Sequence, residues 1–337
     1  MSQVAVRPFD SLDLEPVAAL LASRQRRDRA RIDLLSERLE SPEPWMESLA
    51  AFVGSPDAVV AEHDGALVGF LAGRRMLLAP SSFDSQWVRP HSINIGNDAY
   101  ALAEGEDSLA VFRAMYAELA TAWVAAGFFF HEINIVAGDA ELQEAWLTLG
   151  FGRALTAATR LTVTPVPART PAGGAIRPAT PADIDAVMAL SDDLTRFHAR
   201  APMFWPILHD TDAAQRAFNL AALESGSPPY FLAVQDGEAV AMQTFLHPGF
   251  SPGIIGPEHN VYLFDGVVRE GVRSSGLGSA LLAHTMAWAH TAGYETCTLH
   301  FASANPSGGP FWLGHGFRPI EHAMQRHVDE RIAWANR

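Results

Sequence analysis

The stretch that decides the fold runs from Val267 to Leu282 and reads V-V-R-E-G-V-R-S-S-G-L-G-S-A-L-L. An apolar run precedes it and an Ala/Leu-rich segment with helical spacing follows it, which predicts a strand, a turn and a helix. At such a junction the helix N–H groups and the helix dipole point outward together. Gly276 and Gly278 leave the backbone bare for an approaching anion. The stretch therefore predicts a phosphate-binding turn.

Other phosphate-binding patterns fit this turn less well. No lysine follows the glycines, which excludes a Walker-type loop, and the G-x-G-x-x-G spacing of a dinucleotide fingerprint is absent. The R-x-x-G-x-G pattern is short, and many tight strand-to-helix turns bind nothing. Whether the turn binds phosphate therefore has to be inferred from the residues around it.

Those residues form an ordered set. After the turn come a helix over 277–292, a second apolar strand from Thr296 to Phe301, Asn305, and the pattern F-W-x-x-x-G-F over 311–317. This order resembles the core of the GNAT superfamily of acyl-CoA-dependent N-acyltransferases. The resemblance covers residues 176–325 well and residues 5–160 in outline. It implies an α/β fold in which each domain is a mixed twisted sheet flanked by helices.

Length and composition set the broad class of the protein. The chain has 337 residues, of which 48% are hydrophobic, and this is enough for two packed cores. A formal net charge of −14 argues against a nucleic-acid surface, which needs clustered cationic side chains. The single cysteine, Cys297, excludes an internal disulfide. We expect a cytoplasmic protein with no membrane role, because no secretory signal pattern is visible and the apolar run 119–130 is too short to span a bilayer.

The same short motifs occur in the same order in both halves of the chain, which indicates an internal repeat. The repeated features are an apolar-Arg-Pro start followed by an aspartate, an Asp-Gly hairpin turn, an Ala-Gly-aromatic helix end and a W-x-x-x-G-F segment. In the first half they fall at Arg7 and Asp13, Asp64-Gly65, Ala126-Gly127 and Trp146; in the second half they fall at Arg177 and Asp183, Asp236-Gly237, Ala292-Gly293 and Trp312.

The repeat predicts two tandem GNAT-like domains. Residues 1–163 form a degenerate domain without a cofactor site, residues 164–175 form a linker rich in proline and glycine, and residues 176–337 form the domain that binds acetyl-CoA. The second domain opens with Thr180-Pro181-Ala182-Asp183, which predicts a capped helix beginning near Pro181.

The first half departs from the phosphate-binding pattern. The spacing that relates Trp146 to Trp312 places Asp107 where Arg273 stands, and it places Ala110 where Gly276 stands. The preceding Glu104-Gly105-Glu106 adds negative charge that repels a pyrophosphate. We therefore expect the first half to have lost the cofactor.

In the second half the resemblance implies a site for acetyl-CoA between two parallel strands, about 259–268 and 295–302, that splay apart. It implies that a backbone N–H near Gly266 or Val267 stabilises the oxyanion. The residues implied to hold the pantetheine arm are Gly266, Val267, Val268 and Asn305, and those implied to hold the pyrophosphate are Arg273, Ser274, Ser275, Gly276, Leu277 and Gly278.

A general base is required because an aliphatic amine with a pKa near 10 is mostly protonated at neutral pH. The candidates by position on or beside the strand are Glu258, His259, Tyr262 and Asp265. Tyr262 stands where family members that have a catalytic glutamate place it, and a water relay to Glu258 or His259 is the preferred substitute. The other interpretations are a strand-end hydrogen bond for His259 and the opposite strand face for Asp265.

The general acid for the departing thiolate is also changed. Many family members have a tyrosine where this chain has Trp312, and an indole N–H cannot serve as an acid. A thiol has a pKa near 8.5, so the thiolate leaves tolerably without full protonation. His315 is either a substitute acid or a helix C-terminal cap.

Three further segments are assigned from their patterns. The aromatic residues within 197–205 line an acceptor pocket or, more commonly for such residues, belong to the core. The Gly/Pro-rich loop 247–260 is expected to shape the acceptor site. The charge run 24–40 predicts an amphipathic helix with a solvated face. No histidine spacing indicates a metal site, and Cys297 is expected to be a buried apolar residue.

The sequence thus predicts a tandem GNAT protein that acetylates a small-molecule amine by direct attack in a ternary complex. Acetyl-CoA is the cosubstrate, no metal and no nucleic acid take part, and a homodimer is left open. The alternative is a non-catalytic acyl-CoA-binding sensor or scaffold, because the usual acid and base of the family are missing from their places.

Overall fold

The structure of the protein is a computed structural model that describes residues 4–167, 174–246 and 258–335. Its strands are β1 (Ala5–Pro8), β2 (Ala58–His63), β3 (Ala66–Ala72), β4 (Arg74–Met76), β5 (Ser92–Ile95), β6 (Tyr100–Leu102), β7 (Phe130–Val136), β8 (Gly152–Leu161), β9 (Gly174–Pro178), β10 (Phe231–Gln235), β11 (Glu238–Leu246), β12 (Asn260–Val268), β13 (Thr296–Ala302) and β14 (Arg318–His327). Its α-helices are α1 (Leu14–Arg31), α2 (Glu43–Ala50), α3 (Ser108–Ala125), α4 (Ala140–Thr148), α5 (Ile184–Ala199), α6 (Asp212–Ser225), α7 (Leu277–Thr291), α8 (Gly308–Gly314) and α9 (Ile332–Ala335).

Two compact units divide the chain, and neither is continuous in sequence. The first unit comprises Met1–Leu78, Val88–Thr156 and Ile320–Arg337, and the second comprises Ala79–Trp87 and Ala157–Pro319. The short segment Ala79–Trp87 is therefore part of the second unit although it lies in the first half of the chain. The domain limits at 163 and 176 remain a prediction.

The first unit contains two sets of strands, ordered β1-β2-β3-β6 and β4-β5-β7-β14. Strand β7 pairs in parallel with β5 and antiparallel with β14, so the sheet is mixed. Helix α3 approaches β3 so closely that a Cβ at Gly69 would lie 2.9 Å from Val111 and 3.0 Å from Met115. Three tryptophans, Trp45, Trp123 and Trp146, are fully buried in this unit.

The second unit contains a sheet ordered β8-β13-β12-β11-β10-β9. Strands β12 and β13 are parallel, whereas β12, β11, β10 and β9 pair antiparallel in succession. Side chains from both faces of β12 are buried. Leu263 packs in a cluster with Leu281 of α7, and Val267 packs in another with Leu190 of α5. This is the mixed sheet flanked by helices that the sequence predicts.

The internal repeat is confirmed by matching local geometry. Arg7 forms a two-pronged ion pair with Asp13 at 2.7 and 2.8 Å, and Arg177 forms the same pair with Asp183 at 2.8 and 2.7 Å. The hairpin turns match as well. Asp64 and Asp236 both have a φ of 51°, and the glycines that follow have φ values of 79° and 82°. The ion pair and the Asp-Gly turn thus each form the same local structure in both units.

The prediction of a solvated charge run over 24–40 is wrong in part. Helix α1 ends at Arg31, and within it Arg24 is 5% exposed and Asp28 is 2% exposed. The guanidinium of Arg24 donates to the backbone carbonyls of Asn97, at 2.6 Å, and Tyr100, whereas its Nε lies 3.6 Å from Oδ2 of Asp28 and makes no hydrogen bond among the described residues. Burial raises the pKa of Asp28 to about 6. These two side chains thus lie in the interior of the first unit and do not face solvent.

Candidate cofactor and acyl-transfer site

Strands β12 and β13 separate at the point where the sequence predicts the acyl-CoA cleft. Their parallel ladder runs from Asn260 and Thr296 to Leu263 and Leu299. On its other edge, β12 stays paired with β11 as far as Val268. Within the described residues, the β12 edge that faces β13 therefore has no strand partner from Gly266 to Val268. The main chain from Gly266 to Val268 can accept an extended ligand there as a substitute strand.

A β-bulge lies in the same part of β12. The register with β11 shifts between Gln243 and Phe245, so that Phe264 and Asp265 together lie opposite Thr244. The Thr244 hydroxyl accepts a hydrogen bond of 2.9 Å from the backbone N–H of Asp265. Bulges bend a strand and redirect its side chains. This bulge places two consecutive side chains beside the separated edge.

The predicted phosphate turn begins helix α7 at Gly276. Gly276 is the N-cap, its φ is 88°, and it has no capping side chain; among the described residues, the side-chain contact to the first turn is a long hydrogen bond of 3.4 Å from the N–H of Leu277 to the Ser275 hydroxyl. A Cβ at Gly276 would meet nothing within 4 Å, so the space in front of the first turn is open. An uncapped helix N-terminus with an open approach fits an anion such as a pyrophosphate.

Two other residues of the turn have evident packing roles. Arg273 donates from Nε to the carbonyl of Val268 at 2.9 Å, and its guanidinium carbon lies 4.6 Å from the centroid of the Phe197 ring. Arg273 thus fastens the turn to the end of β12. A Cβ at Gly278 would lie 3.4 Å from the ring of Phe311, which is ordinary van der Waals contact, so Gly278 packs beside α8. Contact of either residue with a pyrophosphate remains a prediction.

The rest of the turn is held by local hydrogen bonds. Ser274 adopts a φ of 63°, and the Ser275 hydroxyl donates to the carbonyl of Val272 at 2.8 Å. Leu277 is 1% exposed and belongs to the core. Of the predicted pyrophosphate residues, Gly276 therefore has the most open surroundings.

A charged cleft of about 480 Å³ lies beside the turn, between α5 and residues 269–273. Four arginines line it, but carboxylates or the backbone engage them. The ion pairs are Arg196 with Asp192 at 2.5 Å, Arg200 with Glu270 at 3.0 Å, and Arg269 with Asp193 at 3.5 Å. The cleft is thus a balanced polar surface next to the candidate cofactor site.

Asn305 caps α8 in this structure. Its Oδ1 accepts hydrogen bonds from the N–H groups of Ser307, at 3.0 Å, and Gly308, at 2.8 Å. Asn305 is 9% exposed, and its side-chain carbonyl is committed to the cap. Contact of Asn305 with the pantetheine arm remains a prediction. Because the side-chain oxygen is engaged, the amide nitrogen is the group that can make this contact.

Trp312 and His315, which lie on or just after α8, both make packing contacts. Trp312 is 8% exposed and its ring lies against the backbone of Gly266. His315 donates from Nδ1 to the carbonyl of Phe311 at 2.7 Å, and its Nε2 lies 2.8 Å from the Ser279 hydroxyl. Both ring nitrogens of His315 are thus engaged. This favours the interpretation of His315 as a structural link between α8 and the first turn of α7.

The three predicted catalytic residues lie in different places. Tyr262 is 8% exposed, and its hydroxyl lies 2.8 Å from Nδ1 of His300 where the β12–β13 ladder ends. Glu258 and His259 are exposed and precede β12. At about 3.3 Å per residue, His259 is on the order of 20 Å from Gly266 along the strand. A role for Glu258 or His259 remains a prediction, but the geometry favours groups closer to the separation.

His300 is a site residue that sequence reasoning missed. The available signal was strand alternation, which places it on the face opposite Cys297 and thus outside the core cluster that contains Cys297. Strand alternation alone does not indicate which residue of the neighbouring strand His300 meets.

Asp265 has the most perturbed carboxylate of the site. It is half-buried at the bulge, and burial raises its pKa to about 7. Burial also raises the pKa of Tyr230, and the negative charge of Asp265 raises it further, which places the two side chains within electrostatic range. A carboxylate with a pKa near neutrality is suited to take a proton at physiological pH.

The aromatic residues within 197–205, of which the first two lie in α5, are partly buried or exposed and are not among the buried core residues. Phe204 is 73% exposed, and the His198 and Trp205 rings lie 5.0 Å apart beside it. The alternative that it contributes to an acceptor pocket remains a prediction. Most of the loop 247–260, residues 247–257, lies outside the described residues.

In the first unit, side chains of the protein itself bond to the backbone N–H groups at the start of α3 and at the end of β7. The Asp107 side chain caps α3 and accepts the N–H of Ala110 at 3.0 Å, so a carboxylate takes the anion position at this terminus. The Tyr100 hydroxyl accepts the N–H of Val136, at the end of β7, at 3.2 Å. These contacts support the expectation that the first half has lost the cofactor.

The remaining features concern metal binding, membrane spans and Cys297. Across residues 4–167, 174–246 and 258–335, no group of three histidine, cysteine, aspartate or glutamate side chains is arranged to hold a metal ion. No α-helix in these ranges combines the length and apolar character needed to cross a membrane. Cys297 is fully buried, as predicted, and burial raises its pKa to about 12.

Part of the second half of the chain matches the sequence model of a known family. Residues 191–317 match the sequence model of the acetyltransferase (GNAT) family. No curated protein matches the chain.

Among solved structures, the chain is similar to a GCN5-related N-acetyltransferase from Sphaerobacter thermophilus, with 15% identity and a TM-score of 0.58 over 96% of this chain and 95% of that chain. It is also similar to a tandem GNAT protein from the clavulanic acid biosynthesis pathway, with 16% identity and a TM-score of 0.50 over 97% and 99% of the two chains. A glucosamine N-acetyltransferase region in a fungal multi-domain β-N-acetylglucosaminidase gives 11% identity and a TM-score of 0.51 over 96% of this chain and 38% of that chain. At these identities the likeness shows the fold, which is the tandem GNAT architecture predicted from the sequence.

Proposed function

We propose, from the match of residues 191–317 to the GNAT acetyltransferase family, that the protein transfers the acetyl group of acetyl-CoA to a small-molecule amine by direct attack in a ternary complex. One observation carries the proposal. The open, uncapped start of α7 at Gly276 follows a strand whose edge is unpaired from Gly266 to Val268. An anion site and an extended backbone site are thus joined by one turn.

This arrangement fits the two chemical parts of acetyl-CoA. The first turn of α7 offers backbone N–H groups and a helix dipole to the pyrophosphate, with Gly276 leaving room for its approach. The edge of β12 offers main-chain groups to the pantetheine arm, as in strand addition. Acetyl-CoA supplies the activated acyl group, and the protein binds and orients it.

Proton removal from the amine is assigned to Asp265. Its side chain leaves the bulge one residue before Gly266, and its pKa of about 7 lets it be ionised and still basic at neutral pH. Tyr262 and His300, joined by a 2.8 Å hydrogen bond, form a second polar pair on the neighbouring part of the strands. We assign this pair to positioning the amine or a water molecule.

Backbone groups of β12 stabilise the charge that develops on the acyl oxygen. A backbone N–H near Gly266 or Val267 lies on the strand that holds the cofactor arm, and such a fixed donor needs no rearrangement during reaction. The departing thiolate needs no strong acid because its pKa lies near 8.5. This account gives neither Trp312 nor His315 a chemical role, in agreement with their packing contacts.

A non-catalytic acyl-CoA sensor is the second candidate function. The observation that favours it is the Trp312 ring lying against Gly266, close to where the thioester has to be placed. A sensor uses the same turn and the same strand edge, so cofactor binding alone cannot separate the two functions.

The separating experiment measures release of the CoA thiol from acetyl-CoA across a panel of primary amines. An acetyltransferase gives thiol release that depends on a particular amine, saturates with it and is lost in Asp265→Asn. A sensor binds CoA, measured by calorimetry, but releases thiol no faster with any amine than without. That second result would contradict the proposed function.

A further inference from the structure

The segment Ala79–Trp87 places two aromatic side chains in the second unit. It contains a short 3-10 helix, Phe83–Gln86, and is closed by its own hydrogen bonds. The Ser85 hydroxyl donates to the carbonyl of Ala79 at 2.7 Å, and the N–H of Trp87 donates to the carbonyl of Asp84 at 3.2 Å. This compact turn presents Phe83 and Trp87 together, with their ring centroids 4.5 Å apart.

These rings continue an aromatic row that reaches the bulge of β12. Phe83 stacks on Phe218 of α6 with centroids 4.1 Å apart and ring planes at 23°. Trp87 meets Phe264 edge-on, at 5.1 Å and 84°. Phe264 in turn lies 6.3 Å from the ring of Tyr262. We call Phe83, Trp87, Phe218 and Phe264 the aromatic wall.

The position of the aromatic wall relates it to the acyl-transfer site. Phe264 lies at the bulge next to Asp265 and two residues before Gly266. Two residues of extended strand span roughly 7 Å, which is within reach of a small amine whose ring and nitrogen are joined by a short linker. Phe83 and Trp87 are half-buried residues. Clustered apolar surface of this kind marks ligand grooves more often than plain surface.

From this geometry we propose that the acceptor is an amine with an aromatic body, and that the aromatic wall binds that body while the amine reaches the acyl group beside Gly266. The inference rests on the proposed function and specifies the substrate class of its acceptor site. An aromatic partner matches the wall because rings gain from edge-to-face and offset-stacked contacts beyond the area they bury. A protonated amine is also attracted to ring faces and to the nearby carboxylate of Asp265.

The inference assigns a binding role to a segment of the first half. Because Ala79–Trp87 belongs to the second unit, the first half contributes acceptor-binding residues without contributing a cofactor site. The competing interpretation is that the same rings only anchor this segment to the second unit. The two interpretations differ in whether replacing a ring changes selectivity between acceptors.

The test compares 2-phenylethylamine with n-hexylamine, two primary amines that differ in the aromatic ring. We expect the full-length protein to prefer 2-phenylethylamine by at least about tenfold in kcat/KM, which is about 1.4 kcal/mol. In Trp87→Leu the KM for 2-phenylethylamine rises about tenfold, while kcat, the KM for acetyl-CoA and the KM for n-hexylamine stay within about twofold. Trp87→Phe keeps the preference, and Trp334→Leu, which alters a 65% exposed tryptophan elsewhere, leaves all values unchanged.

A binding arm separates failure of this inference from failure of the proposed function. The protein saturated with CoA is titrated with 2-phenylethylamine in a calorimeter. Binding that weakens in Trp87→Leu, together with no acetylation of any amine, supports the wall and contradicts the acetyltransferase. Acetylation of other amines with no preference for, and no detectable binding of, the aromatic one overturns the wall. An equal loss for both amines in Trp87→Leu also overturns it, because that is the result of simple anchoring.

Discussion

Trp312 lies so close to Gly266 that two of its ring carbons are 2.9 Å from the position a Cβ would take at residue 266. Real Cβ atoms do not tolerate such a contact with a rigid ring. The indole of α8 therefore packs on bare backbone of β12, beside the edge where the strands separate. Trp312, which stands where many family members have a tyrosine, therefore requires a glycine at position 266.

The Gly266–Trp312 contact predicts strong coupling between the two positions. Gly266→Ala destabilises the protein by about 1–3 kcal/mol, because the added methyl group overpacks the contact. Trp312→Phe removes the clashing part of the indole, so the double variant loses less than the sum of the single variants, by roughly 1 kcal/mol or more. Denaturant unfolding of all four proteins measures this coupling. Additive losses would show that the ring does not pack there.

Trp312→Phe alone is expected to keep most of the catalytic activity. The reason is that an indole cannot act as an acid, and its role in this account is packing. Thiol release from acetyl-CoA with a working amine measures the activity, with CoA affinity as the control. Loss of catalysis in a folded variant that still binds CoA would give the α8 tryptophan a chemical role.

One chain is expected to bind one CoA, in the second unit. Gly276→Trp should abolish binding because it fills the open approach to α7. Gly105→Trp is the matched control, because Gly105 precedes α3 of the first unit with a φ of 86°, against 88° at Gly276, and both glycines face open space. The backbone strain of the two variants is therefore similar. A stoichiometry of two by calorimetry, or equal loss in both variants, would refute the assignment.

Asp265→Asn is expected to increase the stability of the protein and to decrease its activity. The pKa of Asp265 is about 7 in the folded protein against an ordinary 3.8, so the folded state binds more protons than the unfolded state between these values. Stability from this group is thus complete below about pH 4 and is lost as pH rises through about 7. The neutral asparagine escapes that loss. We expect a gain on the order of 1–2 kcal/mol at pH 8, after allowing for partial solvent exposure, and little gain at pH 4.

The activity of the same variant should fall by a factor of about 10² to 10⁴ if Asp265 is the general base. In the unaltered protein, kcat/KM for the amine should rise with pH through about 7, as the carboxylate ionises. Unfolding curves at both pH values and a pH-rate profile check the two parts. Greater stability with full activity would leave Asp265 buried for no catalytic purpose and redirect attention to Tyr262 and His300.

Tyr100→Phe tests the account of the first unit. Removing the hydroxyl leaves the backbone N–H of Val136 without its 3.2 Å partner, which should cost about 1–3 kcal/mol of stability. CoA stoichiometry should remain one, because Asp107 still caps α3. A second bound CoA in this variant would mean that Tyr100 alone blocks a working site.

The sequence predicted those features of the fold that local patterns encode. The Asp-Gly turns, the strand-to-helix turn at Gly276 and the capped start before α5 each depend on a few consecutive residues, and each is found in its predicted place. The separation of β12 and β13 came from the family resemblance and is present in the strand register.

Features that depend on contacts between distant parts of the chain could not be predicted from local sequence patterns. Nothing local indicates that Ala79–Trp87 belongs to the second unit, or that Thr159 bonds to the carbonyl of Cys297 at 3.1 Å. A fragment cut at residue 174 would lose both contributions, so the acceptor site has to be tested in the full chain. The pairing of Tyr262 with His300 and the burial of Asp265 likewise arise from neighbouring strands and from the bulge.

The central claim is tested most directly by quantifying, in one reaction, the N-acetylated amine by mass spectrometry and the free CoA by thiol titration. The account predicts equal amounts of both products for the full-length protein and neither product above background for Gly276→Trp, whereas Gly105→Trp behaves as the unaltered protein. CoA binding by calorimetry with no acetylated amine formed from any member of the panel would contradict it.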